Sequence, residues 1–550
     1  MSALQVVLGL LMAVAILAMV ARRVRLPYPI VLVVGGLALG FVPHVPRVRL
    51  DPDVVFLVFL PPLLFQAAWA TSFRDFRANL RSITLLALGL VLLTTVGVAA
   101  VAHALVPGLP WPTAFVLGAV VAPTDAVAAT TIMRRLGAPW RVVSVVEGES
   151  LVNDATGLVA WRFALAAAAT GAFSFWQAGL QFVLVVAGGI VIGMAVGWSL
   201  AQIQLRIDDP LIEITLSFLA AYAAYLTAEN LHLSGVLAVV VAGLYAGRRS
   251  PELLSPNTRL QGLAVWDMAV FVLNGLAFIL VGLQLPTIVD GLRSRPVPSL
   301  MLYAAAVCLT VIVARVAWTF PGAYLPHLLP PVRRREPLPP PRNVAVAAWS
   351  GMRGAVSLAA ALALPATLPG GPSFAGRDLV LFLTFSVILV TLVLQGLSLP
   401  LLMTRLGVGG DGRDHHEEKV ARFRAIEAAE ARLEELAGAG WAPAGQLDFL
   451  RNYYRKRRTS VETRFGYLRH GHDGDGREPT DGHVHVDGAD HLTDHRRWQE
   501  RLHRLKLELI AAERQQVVAL RNQGAIGDDV LHRIERDLDL EELQLIDAGG

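Results

Sequence analysis

The chain has 550 residues, 54% of them hydrophobic and 17% charged, with a formal net charge of +4 and a mean hydropathy of +0.52. This is the composition of a membrane protein, and its arginines, most of which in the apolar part sit in loops, carry no nucleic-acid signal. Cys308 is the single cysteine, inside an apolar run, which excludes an intrachain disulfide framework.

The apolar excess ends near residue 404, so two bodies are expected: a transmembrane domain over 1–404 and a helical cytoplasmic tail over 405–550. About 20 residues cross roughly 30 Å of hydrocarbon. A window of that length predicts 13 spans, at 3–20, 27–46, 54–70, 82–106, 111–131, 143–169, 175–203, 211–229, 233–247, 262–285, 299–325, 344–366 and 378–403. The first span has no basic residue before it and only Arg22 and Arg23 after it, so it reads as a retained helix rather than a signal peptide. Loops after odd-numbered spans, up to the eleventh, hold 17 arginines, and those after even-numbered spans hold 5. The basic side is cytoplasmic by the positive-inside rule, which places the N-terminus outside and the tail inside.

Spans 5 and 6 carry polar strings at membrane depth: Ala122-Pro123-Thr124-Asp125 and Glu147-Gly148-Glu149-Ser150-Leu151-Val152-Asn153-Asp154. An ionisable side chain there costs about 2.5 to 3.5 kcal/mol on insertion scales and persists mainly along ion or proton pathways, which makes transport the leading reading. If spans 1–6 and 8–13 are inverted repeats, span 5 corresponds to span 12, and each is interrupted. The breaks are Pro123-Thr124-Asp125 and Ser350-Gly351-Met352-Arg353-Gly354. The expected fold is therefore an all-α polytopic membrane protein with about 13 helices, two six-helix inverted repeats and two broken crossing helices.

Within span 6, Ser150 and Asp154 are four residues apart and share a helix face, while Asn153 stacks above Glu149. Asp154, Ser150 and the backbone freed near Pro123-Thr124 supply the oxygen ligands that a hard cation such as Na⁺ requires. One carboxylate holds a proton or a metal ion but not both well, which is the simplest basis for exchange. Arg315 in span 11 and Arg353 in span 12 each require a carboxylate or helix-end carbonyls. Of the available acids, Glu147, Glu149 and Asp125, we pair Glu149 with Arg315 as a structural ion pair, leaving Asp154 titratable. Arg162 reads as snorkelling. Thr130, Thr131, Ser234, Asn274 and Gly275 read as helix-packing residues.

These residues resemble the monovalent cation:proton antiporters, in the electroneutral Na⁺/H⁺ exchanger branch that includes the bacterial NhaP-like proteins. Glu149-Ser150-Leu151-Val152-Asn153-Asp154 is similar to the branch's Glu-Ser-Leu-x-Asn-Asp motif, Phe59-Leu60-Pro61-Pro62 to its Leu-Pro-Pro segment, and Ala314-Arg315-Val316 to its arginine span. Ser350 to Leu358 resembles its Gly-Leu-Arg-Gly-Ala segment and Leu233 to Ala238 its Ser-Gly-x-Leu-Ala segment. The resemblance implies exchange of Na⁺, or Li⁺ or K⁺, for H⁺ in the plasma membrane by a homodimer without cofactor, enzyme activity or a resident metal. It makes Asp154 the ion- and proton-binding carboxylate, Ser150 and the Thr124 backbone further ligands, Asp125 a polar member of the site, and Glu149 with Arg315 the stabilising pair. Asn153, where the electrogenic branch has an acid, implies one-for-one exchange. Gln66 stands where some relatives carry an acid; it can hydrogen-bond Asn153 or the ion shell but cannot titrate. The competing reading is an intramembrane aspartyl protease using Asp125 and Asp154 as a dyad, but Asp154 follows Val152-Asn153 rather than the Gly-x-Gly expected there.

In the tail, segments 417–438, 445–468 and 495–523 have helical periodicity, and Gly524 to Leu545 reads as a short helical cap or hairpin. The insert over 470–495 holds His470, His472, His483, His485, His491 and His495 and reads as a solvated linker, with pH sensing or metal binding as the alternative.

Overall fold

The computed structural model describes residues 3–24, 26–42, 55–170, 175–292, 295–335, 338–365, 367, 374, 376–409, 413–440, 443–467 and 491–549. They fall into two units, one of Met1–Leu253 with Gly262–Gly410 and one of Leu254–Gln261 with Asp411–Gly550.

Apolar segments in hydrocarbon must satisfy their backbone N–H and C=O groups internally, so they fold as helices. In the first unit these are α1 (Ala3–Val24), α2 (Tyr28–Gly40), α3 (Phe56–Ala70), α4 (Phe73–Ala78), α5 (Leu80–Leu105), α6 (Trp111–Val121), α7 (Ala126–Arg135), α8 (Trp140–Thr170) and α9 (Phe175–Gln204). They continue as α10 (Pro210–Asn230), α11 (Gly235–Leu253), α12 (Pro256–Leu283), α13 (Leu285–Asp290), α14 (Val297–Tyr324), α15 (Pro330–Arg335), α16 (Pro341–Trp349), α17 (Ala355–Leu362) and α18 (Arg377–Leu406). Among the described residues each predicted span is mostly helical, and eight stretches are long and apolar enough to cross a bilayer. The predicted spans 111–131 and 344–366 are each two short helices, α6 with α7 and α16 with α17, separated by non-helical backbone at 122–125 and 350–354.

Two apolar clusters organise this unit. One gathers α5, α6, α7, α14, α17 and α18; the other gathers α3, α10 and α11. Helix α8 serves both, giving Val142, Val143 and Val146 to the first and Leu151 and Ala155 to the second. The polar string of α8 therefore lies where the two clusters meet. Small residues permit the closest crossings: a Cβ on Gly247 of α11 would strike the Trp69 carbonyl of α3.

The second unit is a helical bundle of α19 (Arg413–Gly438), α20 (Ala444–Tyr467), α21 (His491–Gln523) and α22 (Asp528–Gly549). Ile426, Ala429, Leu433 and Leu436 form a stripe on α19 at spacings of three and four, packed with Leu450 and Tyr454 of α20 and Leu505 and Leu509 of α21. Of the helical cap or hairpin expected over Gly524 to Leu545, the structure forms one 22-residue helix, because Val530, Ile534 and Leu538 repeat at four-residue spacing and pack on Ala421, Ala425 and Val517. His470, His472, His483 and His485 lie outside the described residues, as do the side chains of His491 and His495.

Within this second unit, Asp539 of α22 takes a two-pronged ion pair from Arg259 of its segment Leu254–Gln261, whose Nε donates at 2.9 Å, and a further bond of 2.8 Å from Arg514. Glu535, one turn earlier and buried, is pushed up to about 7: burial raises it, Arg259 lowers it, Asp539 raises it, and Arg514 and Arg521 lower it. Burial also lowers the nearby His532. A raised carboxyl binds its proton more tightly in the folded state, so its stabilisation is complete below the ordinary range near 4.5 and is lost as pH rises through 7. The lowered His532 acts oppositely, favouring folding as pH rises through 6.5. Glu535→Gln should match the parent at pH 5 and exceed it at pH 8 by about 2 kcal/mol, read by hydrogen exchange of α22 in the full chain. An identical difference at the two pH values would remove Glu535 as the cause.

Candidate functional site

The two non-helical breaks meet. The Asp125 N–H donates to the Met352 carbonyl at 2.8 Å, tying the α6–α7 break to the α16–α17 break. Each break leaves helix-end groups without intrahelical partners, and charged side chains take them. Asp125 caps α7 by accepting from the Val127 N–H at 2.8 Å, and its carboxylate lies so close to Gly354, the residue preceding α17, that a Cβ there would collide with it. An anion thus sits at the N-terminal ends of two half-helices. Arg353, fully buried, supplies the complementary cation: its Nε donates to Val121 O, the last residue of α6, at 3.0 Å, its Nη1 bonds Gly351 O, and its own N–H donates to Thr391 Oγ at 3.1 Å.

Beneath the crossing, Glu149 of α8 and Arg315 of α14 form a two-pronged ion pair with both side chains 1% exposed. The bonds are Nη1 to Oε1 at 2.5 Å and Nη2 to Oε2 at 2.9 Å, and Arg315 also donates twice to Ala347 O on α16. Gly351 makes room for that guanidinium, since a Cβ there would run into the Arg315 Cδ.

Thr124 connects the ion pair to the break. Its hydroxyl donates to Glu149 Oε1 at 3.0 Å; having one proton, it must then accept the 2.6 Å bond from Asn153 Nδ2. This assigns the Asn153 amide and leaves its Oδ1 as a buried acceptor with no partner. Ser150 clips the same break, donating to Thr124 O at 2.9 Å and accepting from the Ala126 N–H at 3.2 Å.

Asp154, on the helix face of Ser150, is 6% exposed and makes no hydrogen bond or ion pair among the described residues, although it feels the charge of Asp125. The other acids of the two strings are engaged: Glu149 by Arg315 and Thr124, Glu147 by Arg134 at 2.9 Å, and Asp125 as a helix cap. Beside the break, Ser150 Oγ and Thr124 O are bonded to one another, Asn153 Oδ1 is unpartnered, and Asp154 lies one turn along α8 from Ser150. Among the described residues no three His, Cys, Asp or Glu side chains converge on a resident metal site.

Several sequence expectations need revising. Arg162, 43% exposed, has a partner that its interfacial reading left out: it donates to Glu229 of α10 at 2.6 Å. Gln66 makes no hydrogen bond to Asn153, whose amide is held by Thr124. Thr130 and Thr131 bond carbonyls one turn back on α7, and Ser234 caps α11. One residue near the site went unread: Tyr28 on α2 lies within electrostatic reach of Asp125 and beside Asn274 of α12, which had read as a packing residue. The polar Asn274 inside an apolar run was the available signal.

Residues 9–405 match the family model described as sodium/hydrogen exchanger, transmembrane. The chain is 36% identical to an uncharacterised Na⁺/H⁺ exchanger of Mycobacterium tuberculosis over 99% of its length and 97% of that protein. It is 34% identical to the sodium, potassium, lithium and rubidium/H⁺ antiporter of Bacillus subtilis, over 72% of this chain and 61% of that one. Its fold is similar to that of the sodium proton antiporter MjNhaP1 of Methanocaldococcus jannaschii, with a TM-score of 0.57 at 19% identity, covering 72% of this chain and all of that one.

Removing one partner of a buried ion pair strands the other charge, at a cost of about 3 to 5 kcal/mol, whereas replacing both by apolar groups is close to neutral. Glu149→Gln and Arg315→Met should each lower the thermal unfolding midpoint of the detergent-solubilised protein, and Glu149→Leu with Arg315→Met should recover part of the loss. Unchanged midpoints in the single variants would show that the pair does not hold the crossing together.

Proposed function

The chain belongs to the sodium/hydrogen exchanger family of multi-pass membrane secondary transporters, and on that premise we propose that it exchanges Na⁺ for H⁺ by alternating access, with Asp154 as the carboxylate both cargoes share. The observation that carries this reading is the isolation of Asp154: it is a buried carboxylate without a hydrogen-bond or ion-pair partner, beside an oxygen-lined break in the backbone. An ionised carboxylate at that depth is costly unless neutralised. A proton neutralises it, and so does a monovalent cation held with Ser150 Oγ, Thr124 O and Asn153 Oδ1 replacing lost hydration. The two occupants exclude each other, which couples their movements.

Because Glu149 is neutralised by Arg315 and Asp125 caps α7, one exchangeable charge is left, and the cycle is one cation for one proton. Asn153 serves as a neutral ligand where a second acid would add a second proton. Li⁺ and K⁺ are further candidate cargoes, in keeping with the printed specificity of the Bacillus relative. The arginine-rich loops favour an external N-terminus, with the tail, residues 405–550, in the cytoplasm, and the assignment is to a homodimer in the plasma membrane. The family is one of transporters, not enzymes, so the aspartyl-protease reading falls.

Asp154→Asn should abolish cation-dependent dequenching of a pH dye in everted vesicles while the protein stays inserted and elutes as the parent does. Retained exchange in a well-folded variant would sink the mechanism. In proteoliposomes, a potential imposed with valinomycin and K⁺ should leave the Na⁺/H⁺ exchange rate unchanged at a fixed pH gradient. A rate that climbs with potential would mean that a second acid, Asp125 or Glu147, releases a proton in each cycle.

A further inference from the structure

Helix α18 runs along the α16–α17 break and is fastened to it twice. Thr391 Oγ accepts from the Arg353 N–H at 3.1 Å, and Ser398 Oγ accepts from the Trp349 indole N–H at 2.8 Å. Between these bonds the two segments touch, since a Cβ on Gly396 would lie 3.7 Å from the Met352 Cε. Thr391, Gln395 and Ser398 are spaced four and three residues apart and share one face of α18. Gln395 therefore sits between the two fastenings, on the face that follows the break.

Unlike its two neighbours on that face, the Gln395 side chain is not engaged. It is fully buried, and neither Oε1 nor Nε2 has a hydrogen-bond partner among the described residues. A primary amide carries donors on its nitrogen and an acceptor oxygen, and stranding both kinds in an apolar interior destabilises the arrangement that contains them. An apolar side chain of similar volume would fill the place without that cost. The helix is also deformable here. Thr391–Gln395 forms a π-helical turn, and Pro400, inside the helix, has no N–H to give the Gly396 carbonyl.

A carboxamide that is unsatisfied in one arrangement can be satisfied in another. The break that Gln395 faces is joined to the α6–α7 break by the bond from the Asp125 N–H to the Met352 carbonyl. Parting the two breaks during alternating access frees one backbone donor and one backbone acceptor in the protein interior, where unmet backbone groups are costly. The Gln395 amide offers the matching acceptor and donor. We propose that Gln395 is a positioning residue of the transport cycle, which takes up the backbone groups released when the Asp125–Met352 bond opens and so stabilises the arrangement with the breaks apart. The inference rests on the alternating-access reading and is independent of which carboxylate carries the cation.

Gln395→Met and Gln395→Leu remove the amide at similar volume, and misfit of one side chain leaves the other to decide. The unfolding midpoint of the purified full chain in detergent should equal or exceed the parent's, because no bond of the described arrangement is lost. In proteoliposomes the maximal Na⁺/H⁺ exchange rate should fall roughly tenfold or more while the half-saturating Na⁺ concentration stays within about twofold, which marks a conformational step rather than cation binding. Hydrogen exchange across residues 350–354 should slow in the same variants, since the separated arrangement is less populated. That measurement involves no transport, so a parent that exchanges no Na⁺ would refute the proposed function while the protection of 350–354 still decides the role of Gln395. A lower midpoint in both variants, a parent-like maximal rate in either folded variant, or unchanged protection of 350–354 would overturn the proposal.

Discussion

The ion pair between Glu149 and Arg315 is the constraint on which the centre of the membrane unit depends. It joins α8 to α14 directly, and through Ala347 O and the Thr124 hydroxyl it reaches both broken segments. A carboxylate and a guanidinium buried to this degree are tolerable only when every strong donor and acceptor is matched. Matching them fixes where each break passes. Thr124 is held by one oxygen of the acid, Ala347 by the guanidinium, and Gly351 is required because the arginine stem occupies the space a side chain would fill.

The breaks themselves are stabilised by a division of labour between charges. Acid is placed at helix N-termini and base at a helix C-terminus, so Asp125 and Arg353 each offset the partial charges that the interruption exposes. Asp154 is excluded from this scheme. It lies on the same helix and at similar burial, yet nothing in the scaffold satisfies it. A residue kept unsatisfied among well-satisfied neighbours is where binding free energy for a cargo is available.

Much of this was legible in the sequence because membrane insertion makes simple rules strict. Apolar length located the helices, and the cost of charge at depth isolated Asp125, Glu149, Asp154, Arg315 and Arg353. Pairing was harder to read. Arg162 looked like an interfacial side chain because Glu229, 67 positions away, is adjacent only after α8 and α10 pack. The amide orientation of Asn153, and hence its unpaired oxygen, follows from a single hydroxyl proton on Thr124 that no spacing rule encodes. Tyr28 escaped notice, and Asn274 passed for a packing residue, because each is a lone polar residue in an apolar helix and their approach depends on long-range packing. In the tail, the last segment was left between helical cap and hairpin because its partner surface on α19 is remote in sequence.

The bond between Arg162 and Glu229 has a kinetic and statistical side. It joins the far end of α8 to the end of α10, with the two side chains 43% and 28% exposed. An ion pair so open to solvent contributes about 0.2 to 1 kcal/mol and weakens with salt. Any rearrangement that separates these helix ends therefore meets a bias of roughly 1.4- to 5-fold in population rather than a barrier. A latch that weak can set which arrangement predominates at rest while leaving the interconversion rate almost untouched, and ionic strength at that membrane face becomes a gentle control over the resting distribution.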